Sequence, residues 1–309
     1  MSKIFHVARL AVLIFGAPFV AQAQGLPFNT PTALPLALSE NAVRVFVMHT
    51  AAGTLLRDGN EVSDALDRRL DVDLVPVVVP YGVTQKTTLF VGVPYFWKNF
   101  QMDGLEESSN GFGDVFIQVK QELLKQNFRG GTTRFAVFGR SSFPTGNTKR
   151  NGEPLAAPLR LGAGVVDLSG AAALTHVDNR IGITGMMRYN VAAASHEGVR
   201  RGDRFQYGLA LGYRLFPVVY ESFTDKTWVA YLEFNGTVEA PAAGDGTSLE
   251  NSGGHTLLIS PGLQFIPTPN VLFEATIQVP VVRELRGEQL GSDWSLAVGG
   301  RVLMTFLDR

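Results

Sequence analysis

Residues Trp294–Phe306 read Trp-Ser-Leu-Ala-Val-Gly-Gly-Arg-Val-Leu-Met-Thr-Phe, and this stretch decides the fold. Trp294, Leu296, Val298, Val302, Met304 and Phe306 fall on one parity, with Gly300 neutral among them. Ser295, Ala297, Gly299, Arg301 and Thr305 fall on the other, with Leu303 the one apolar exception. A strand sends successive side chains to opposite faces. One face is therefore apolar with an aromatic at each end, and the other is small, polar or charged. That is the pattern of a strand with lipid on one side and a hydrated interior on the other.

The same alternation recurs upstream. In 204–215, Phe205, Tyr207, Leu209, Leu211, Tyr213 and Leu215 oppose Arg204, Gln206, Gly208, Ala210, Gly212 and Arg214. Val115, Ile117, Val119 and Leu123 oppose Asp114, Gln118, Lys120 and Glu122. Phe273, Ala275, Ile277, Val279 and Val281 oppose Glu274, Thr276 and Gln278. No helical period runs far enough to compete. The expected fold is all-β: a transmembrane antiparallel up-and-down barrel of about twelve strands. The strands are expected at 41–56, 69–82, 86–98, 112–124, 132–144, 157–169, 179–191, 203–216, 227–239, 254–266, 270–283 and 292–306.

Loop lengths support this layout independently. Joins after even strands are mostly short, as at Val83–Gln85, Lys125–Gly131 and Pro267–Pro269, with Pro217–Lys226 longer. Joins after odd strands are mostly longer and polar: Arg57–Arg68, Asn99–Gly111, Thr145–Ala156, Ala192–Gly202 and Ala240–Gly253. Barrels of the bacterial outer membrane have short periplasmic turns and longer outer loops. Two aromatic girdles are expected at headgroup level. The outer one holds Tyr95, Trp97, Phe143, Phe205, Tyr207 and Trp294; the periplasmic one holds Tyr213, Trp228, Phe265 and Phe306.

Composition is consistent with this. Of 309 residues, 45% are hydrophobic and 18% charged, and the net charge of -1 lacks the basic excess of a nucleic-acid binder. There is no Cys, so no disulfide, thiolate metal site or lipid-anchored Cys is available. Residues 1–23 read as a secretory signal: Lys3 and Arg9, an apolar core from Leu10 to Val20, then Ala21-Gln22-Ala23 before Gln24. That apolar run is too short to span a bilayer, which takes ~20 residues. Residues 24–40, with Pro27, Pro31 and Pro35, read as an extended lead-in. A loose periplasmic tail is expected over a plug. Residues 41–309 form the barrel domain.

Under this parity the inward face collects the ionisable groups: Asp71, Asp73, Asp114, Lys120, Glu122, Arg134, Arg140, Arg160, Arg180, Arg188, Arg204, Arg214, Glu233, Glu274 and Arg301. Two roles are open to them, a polar conduit favouring anions or polar groups of a solute and an ion-pair network that stiffens the barrel. No metal cluster or cofactor motif is present. Asp71-Val72-Asp73 is too short for a calcium loop. Gly244-Asp245-Gly246 reads as a turn. A lipase-like barrel would need a Ser activated by a His. No His stands two residues before a Ser on one strand face, and Ser195-His196 are sequential.

Gly111-Phe112-Gly113-Asp114, Phe143-Pro144-Thr145-Gly146 and Val91-Gly92-Val93-Pro94 occur in an order that resembles the outer-membrane transporter family named for the meta-pathway of phenol degradation. The resemblance spreads over roughly 70–306. It implies a barrel passing hydrophobic or aromatic compounds such as phenolics. Asp114 is placed to pair with Arg134 or Arg140. One departure is the end of the chain: such barrels finish on an aromatic that the insertion machinery reads, and here Leu307-Asp308-Arg309 follow Phe306. The expectation is a non-enzymatic channel whose partners are outer-membrane lipid, the insertion machinery and a small solute. A structural or adhesion barrel and an outer-membrane hydrolase are the alternatives. Solute and oligomeric state are not specified by the sequence.

Overall fold

The computed structural model describes residues 27–36, 40–193, 196–222, 224–244 and 246–305. The signal segment 1–23, Ser195, Asp245 and Phe306 lie outside the described residues. Twelve long strands follow one another: β1 Glu40–Arg57, β2 Arg69–Gly82, β3 Thr87–Met102, β4 Val115–Phe128, β5 Gly131–Phe143, β6 Asp167–Asp178, β7 Ile181–Ala192, β8 Arg204–Phe216, β9 Thr227–Glu239, β10 Gly254–Thr268, β11 Val271–Leu285 and β12 Glu288–Thr305. Each pairs with its sequence neighbours, and β12 pairs antiparallel with β1 from Glu40↔Thr305 to Arg57↔Glu288. The sheet is thus a closed barrel without a free edge, so every strand backbone can be hydrogen-bonded inside hydrocarbon.

The outward face is apolar and exposed: Leu209 and Leu211 on β8, Ile117 and Val119 on β4, Ile277 and Val279 on β11, Leu296 and Val298 on β12. The alternate residues are buried and small or polar, among them Ala210, Thr276, Ala297, Thr184 and Ser260. Moving one Leu-sized side chain into hydrocarbon gains about 1.5–3 kcal/mol. An Arg or Lys in its place at midplane would cost about 2–4 kcal/mol. Parity is therefore fixed by lipid on one side alone.

Girdle residues face outward as expected. Phe143, Phe205 and Trp294 are exposed near the long loops; Tyr213 and Trp228 are exposed near the short turns. Trp228 stacks on Phe265 at 4.4 Å between ring centroids. Tyr207 lies flat over Gly236, where an added Cβ would come within 2.1 Å of the ring, and its hydroxyl bonds His255 Nε2 at 3.0 Å. Only glycine admits that ring. At the turn into β5, Gly130 takes φ +87°, a conformation an L side chain resists.

Two elements differ from expectation. The sixth strand spans Asp167–Asp178, not 157–169. Residues 157–159 form a short 3-10 turn inside a long outer loop. The third strand extends to Met102, and Leu105–Phe112 folds back on it as a hairpin above the membrane. The last outer join is a tight turn at 286–287.

Candidate functional site

Residues 27–36 lie inside the lumen, which corrects the expectation of a periplasmic tail. The reason is chemical. A Pro-rich extended segment carries main-chain N–H and C=O groups with no ladder of their own, and they must find partners when buried. The wall supplies them. The Glu233 carboxylate accepts from three consecutive main-chain N–H groups, Phe28 at 2.8 Å, Asn29 at 3.0 and 3.2 Å, and Thr30 at 2.8 Å. Ala33 N–H donates to Thr175 Oγ1 at 3.0 Å, and Leu36 N–H to Thr88 Oγ1 at 3.1 Å. Lys120 Nζ donates to the carbonyls of Thr32, at 3.3 Å, and of Leu34. Gln278 donates to Asn29 Oδ1 at 2.6 Å, Asn235 to Thr30 Oγ1 at 3.0 Å, and Arg44 to the Phe28 carbonyl at 3.2 Å. Ala33 is fully buried against Ala136, Phe138 and Ala173.

Around this plug the inward charges are neutralised locally. Arg134 Nη1 meets Glu122 Oε2 at 2.8 Å. Arg44 Nε meets Glu274 Oε1 at 2.7 Å, and Gln264 donates to the other oxygen at 2.9 Å. Arg301 is buried on β12 beside Arg44, its ladder partner. Arg214, on β8, stacks over Tyr220 at 4.0 Å. Lys120, Glu122, Arg134, Arg214, Glu233, Glu274 and Arg301 therefore lie on the lumen side as expected. Arg44 was missed, although Val43, Val45 and Val47 alternate with it and carry the signal.

Toward the outer end the wall changes character. Arg140, Ser169, Asn190 and Arg204 are successive ladder partners across β5 to β8, and Arg188 lies one rung closer to the plug. Arg140 stacks on Phe116 at 3.7 Å. Arg188 Nη2 donates to Gln118 at 3.1 Å. The nearby carboxylate of Asp167 is engaged by Arg201 at 2.8 Å.

Five inward assignments are corrected. Asp71 and Asp73 sit on the outer wall, at the level of Trp97 and Trp294. Asp73 Oδ1 meets His49 Nδ1 at 2.9 Å, and Asp71 lies 3.9 Å from the other ring nitrogen. The near-continuous apolar run Leu74–Val79 hides parity. Pairing decides it: Arg44, which points inward, faces Val78, so odd-numbered β2 residues point out. Asp114 precedes β4 and accepts from Gly146 N–H at 2.9 Å and Ala163 N–H at 2.7 Å, tying the loop 144–166 to the wall. Arg160 belongs to that loop and pairs with Glu197 at 2.8 Å. Arg180 occupies the 179–180 turn, donating to the carbonyls of Arg214 and Leu215 and stacking over Tyr213.

The outer loops form a fastened canopy. Lys98 Nζ, on the inner face of β3, donates to the Arg160 carbonyl at 2.5 Å, and Ser109 to that of Leu159 at 2.6 Å. A polar cavity of about 530 Å³ opens among Ser108, Asn110, Asn147, Arg150 and Leu155. At the rim, Arg68 binds Asp64 at 2.9 Å and Glu288 at 2.8 Å. The Arg68 hydrogen bond, reinforced by main-chain N–H groups, draws the Asp64 carboxyl down to about 2.

Residues 73–295 match the protein family described as "Putative MetA-pathway of phenol degradation". No curated protein matches the sequence. Among solved structures, an outer-membrane channel from Pseudomonas putida F1 superposes with a TM-score of 0.72 at 13% identity, covering 91% of this chain and 100% of that one. The translocator domain of the autotransporter NalP from Neisseria meningitidis gives a TM-score of 0.45 at 10% identity, covering 86% and 89%. At these identities the likeness is one of fold, and the first structure alone carries it.

Proposed function

We propose, since this chain belongs to the MetA-pathway family of phenol degradation, that it is an outer-membrane channel for small hydrophobic or aromatic molecules, phenolics among them. The observation that carries this reading is the inside of the barrel. A barrel whose interior served only as a core would be packed with apolar side chains. Here the buried apolar clusters among the described residues are two small ones, Ala33 with Ala136, Phe138 and Ala173, and Ala42 with Leu303. The rest of the inner wall is mostly polar, charged or small, with separate rings such as Phe90, Phe96 and Phe116 set against its cations, inside an apolar shell, the arrangement that suits a conduit. Residues 27–36 fit it as a stopper held by hydrogen bonds and small apolar contacts. Export through a cleaved leader at 1–23 and insertion by the barrel-assembly machinery belong to the same reading.

The hydrolase alternative has less support. His49 has its carboxylate in Asp73 but no hydroxyl bonded to it among the described residues. His176 has a hydroxyl, Thr133 Oγ1 at 2.7 Å, but no ion-pair partner there. His255 has both a hydroxyl, Tyr207 at 3.0 Å, and a carboxylate, Glu284 at 3.8 Å, but that hydroxyl is a phenol and not the serine a triad needs. The test is uptake of phenol and of an aliphatic alcohol into proteoliposomes, with planar-bilayer conductance alongside. Uptake above that of protein-free vesicles is expected. Neither uptake nor conductance would favour a structural or adhesion barrel.

A further inference from the structure

The inward charges divide into two populations. Near the plug the buried carboxylates are satisfied: Glu122 by Arg134, Glu274 by Arg44, and Glu233 by three main-chain N–H donors. Toward the outer end, Arg140, Arg188 and Arg204 make no ion pair among the described residues. Asp167 is taken by Arg201, and Glu239, the ladder partner of Arg204, forms no ion pair with it. Three guanidinium groups on one wall repel one another, and among the described residues the only carboxylate acting on Arg140 is Asp167, which Arg201 already holds.

Their spacing leaves room for something small. Arg140 and Arg204 are three strands apart, about 14 Å along the rung at ~4.8 Å per strand. Between them stand only Ser169 and Asn190. One rung below, Ala171 separates Phe138 from Arg188. Aromatic rings adjoin the cations: Phe116 lies under Arg140, and Phe96 lies 5.2 Å from Lys98. The plug begins two inward residues beneath Arg140, at Ala136.

We infer that Arg140, Arg188 and Arg204 form a binding site, directly above the plug, for a small aromatic carboxylate. The guanidinium groups take the carboxylate in charge-assisted hydrogen bonds. The ring lies over Ser169 and Ala171 toward Phe116 and Phe138. This names the substrate class of the channel proposed above and rests on that reading.

The test measures equilibrium binding of benzoate and of benzyl alcohol to the folded full-length protein in detergent, by calorimetry. Benzoate is expected to bind at least tenfold more tightly, and raising the salt from 0.1 to 1 M should weaken benzoate alone, by screening. The double variant R140Q/R204Q, checked for folding by its heat-modifiable migration, should lose the preference. Equal binding of the two probes by the unaltered protein overturns the inference without any variant, as does a folded R140Q/R204Q protein that keeps the preference. Bilayer conductance is read separately. Current without benzoate preference removes this site and leaves the channel; benzoate preference without current removes the channel and leaves the site.

Discussion

Replacing Glu233 by Gln should release the plug. The side chain is 1% exposed, so water cannot substitute for what is removed. Its two oxygens accept four contacts of 2.8 to 3.2 Å from three main-chain N–H groups. An amide keeps one accepting oxygen and turns a second donor toward the same N–H groups. At least the two contacts to one oxygen are lost. A hydrogen bond to a charged group contributes ~1.5–3 kcal/mol, so the loss is about 3–6 kcal/mol. Contacts from Lys120, Thr175 and Gln278 survive and set the remaining hold. At about 1.4 kcal/mol per tenfold, even the lower figure shifts the docked-to-released ratio by about a hundredfold. Single-channel recording in planar bilayers reads this as longer and more frequent open events. A folded Glu233→Gln protein whose closed times equal those of the parent would refute the assignment of Glu233 as the main clasp.

Leu209→Arg, on the lipid face between the two girdles of β8, should cost about 2–4 kcal/mol in reversible folding into vesicles, whereas an equal loss on Leu209→Ile would contradict the lipid-face assignment. Gly236→Val should push Tyr207 off its seat and break its bond to His255; overpacking of this kind costs about 1–3 kcal/mol, read as a lower temperature for the heat-modified gel transition. Asp114→Ala should free the main chain at Gly146 and Ala163 and raise proteolysis in 144–166 while leaving the barrel core intact. Asp64 is the acid-sensitive point of the rim. Its folded value lies below the ordinary 3.8, so its contribution is full above that value and fades as the pH falls toward about 2. Amide exchange at Leu66 and Arg68, which donate to it, should be slow at pH 5, and the difference from Asp64→Asn should vanish near pH 2.

How far the sequence could be read varies strand by strand, for physical reasons. β8, β11 and β12 alternate cleanly because lipid meets one face and small or polar groups meet the other, and β2 and β9 fell at the expected bounds, 69–82 and 227–239. The face of β2 was misread even so, because valines on both sides of it erase the period. β6 was misplaced because its centre, Gly170-Ala171-Ala172-Ala173, has almost no contrast, while Leu159 and Leu161 around Arg160 imitate a strand. Those leucines are buried, but against the outer loops. The plug left little trace because the wall holds it mainly through its main chain. Asp114 kept its importance and changed its task, from a lumen charge to a loop fastener.

Segment 27–36 touches β3, β4, β6, β9 and β11 at once, through Thr88, Lys120, Thr175, Glu233 and Gln278. Those strands stand around the circumference, so they surround the segment only after β12 has zipped onto β1. Docking is therefore a reward available to the finished cylinder alone. Residues 27–36 thus report on the last strand to arrive, and an unsealed assembly intermediate should carry this stretch undocked.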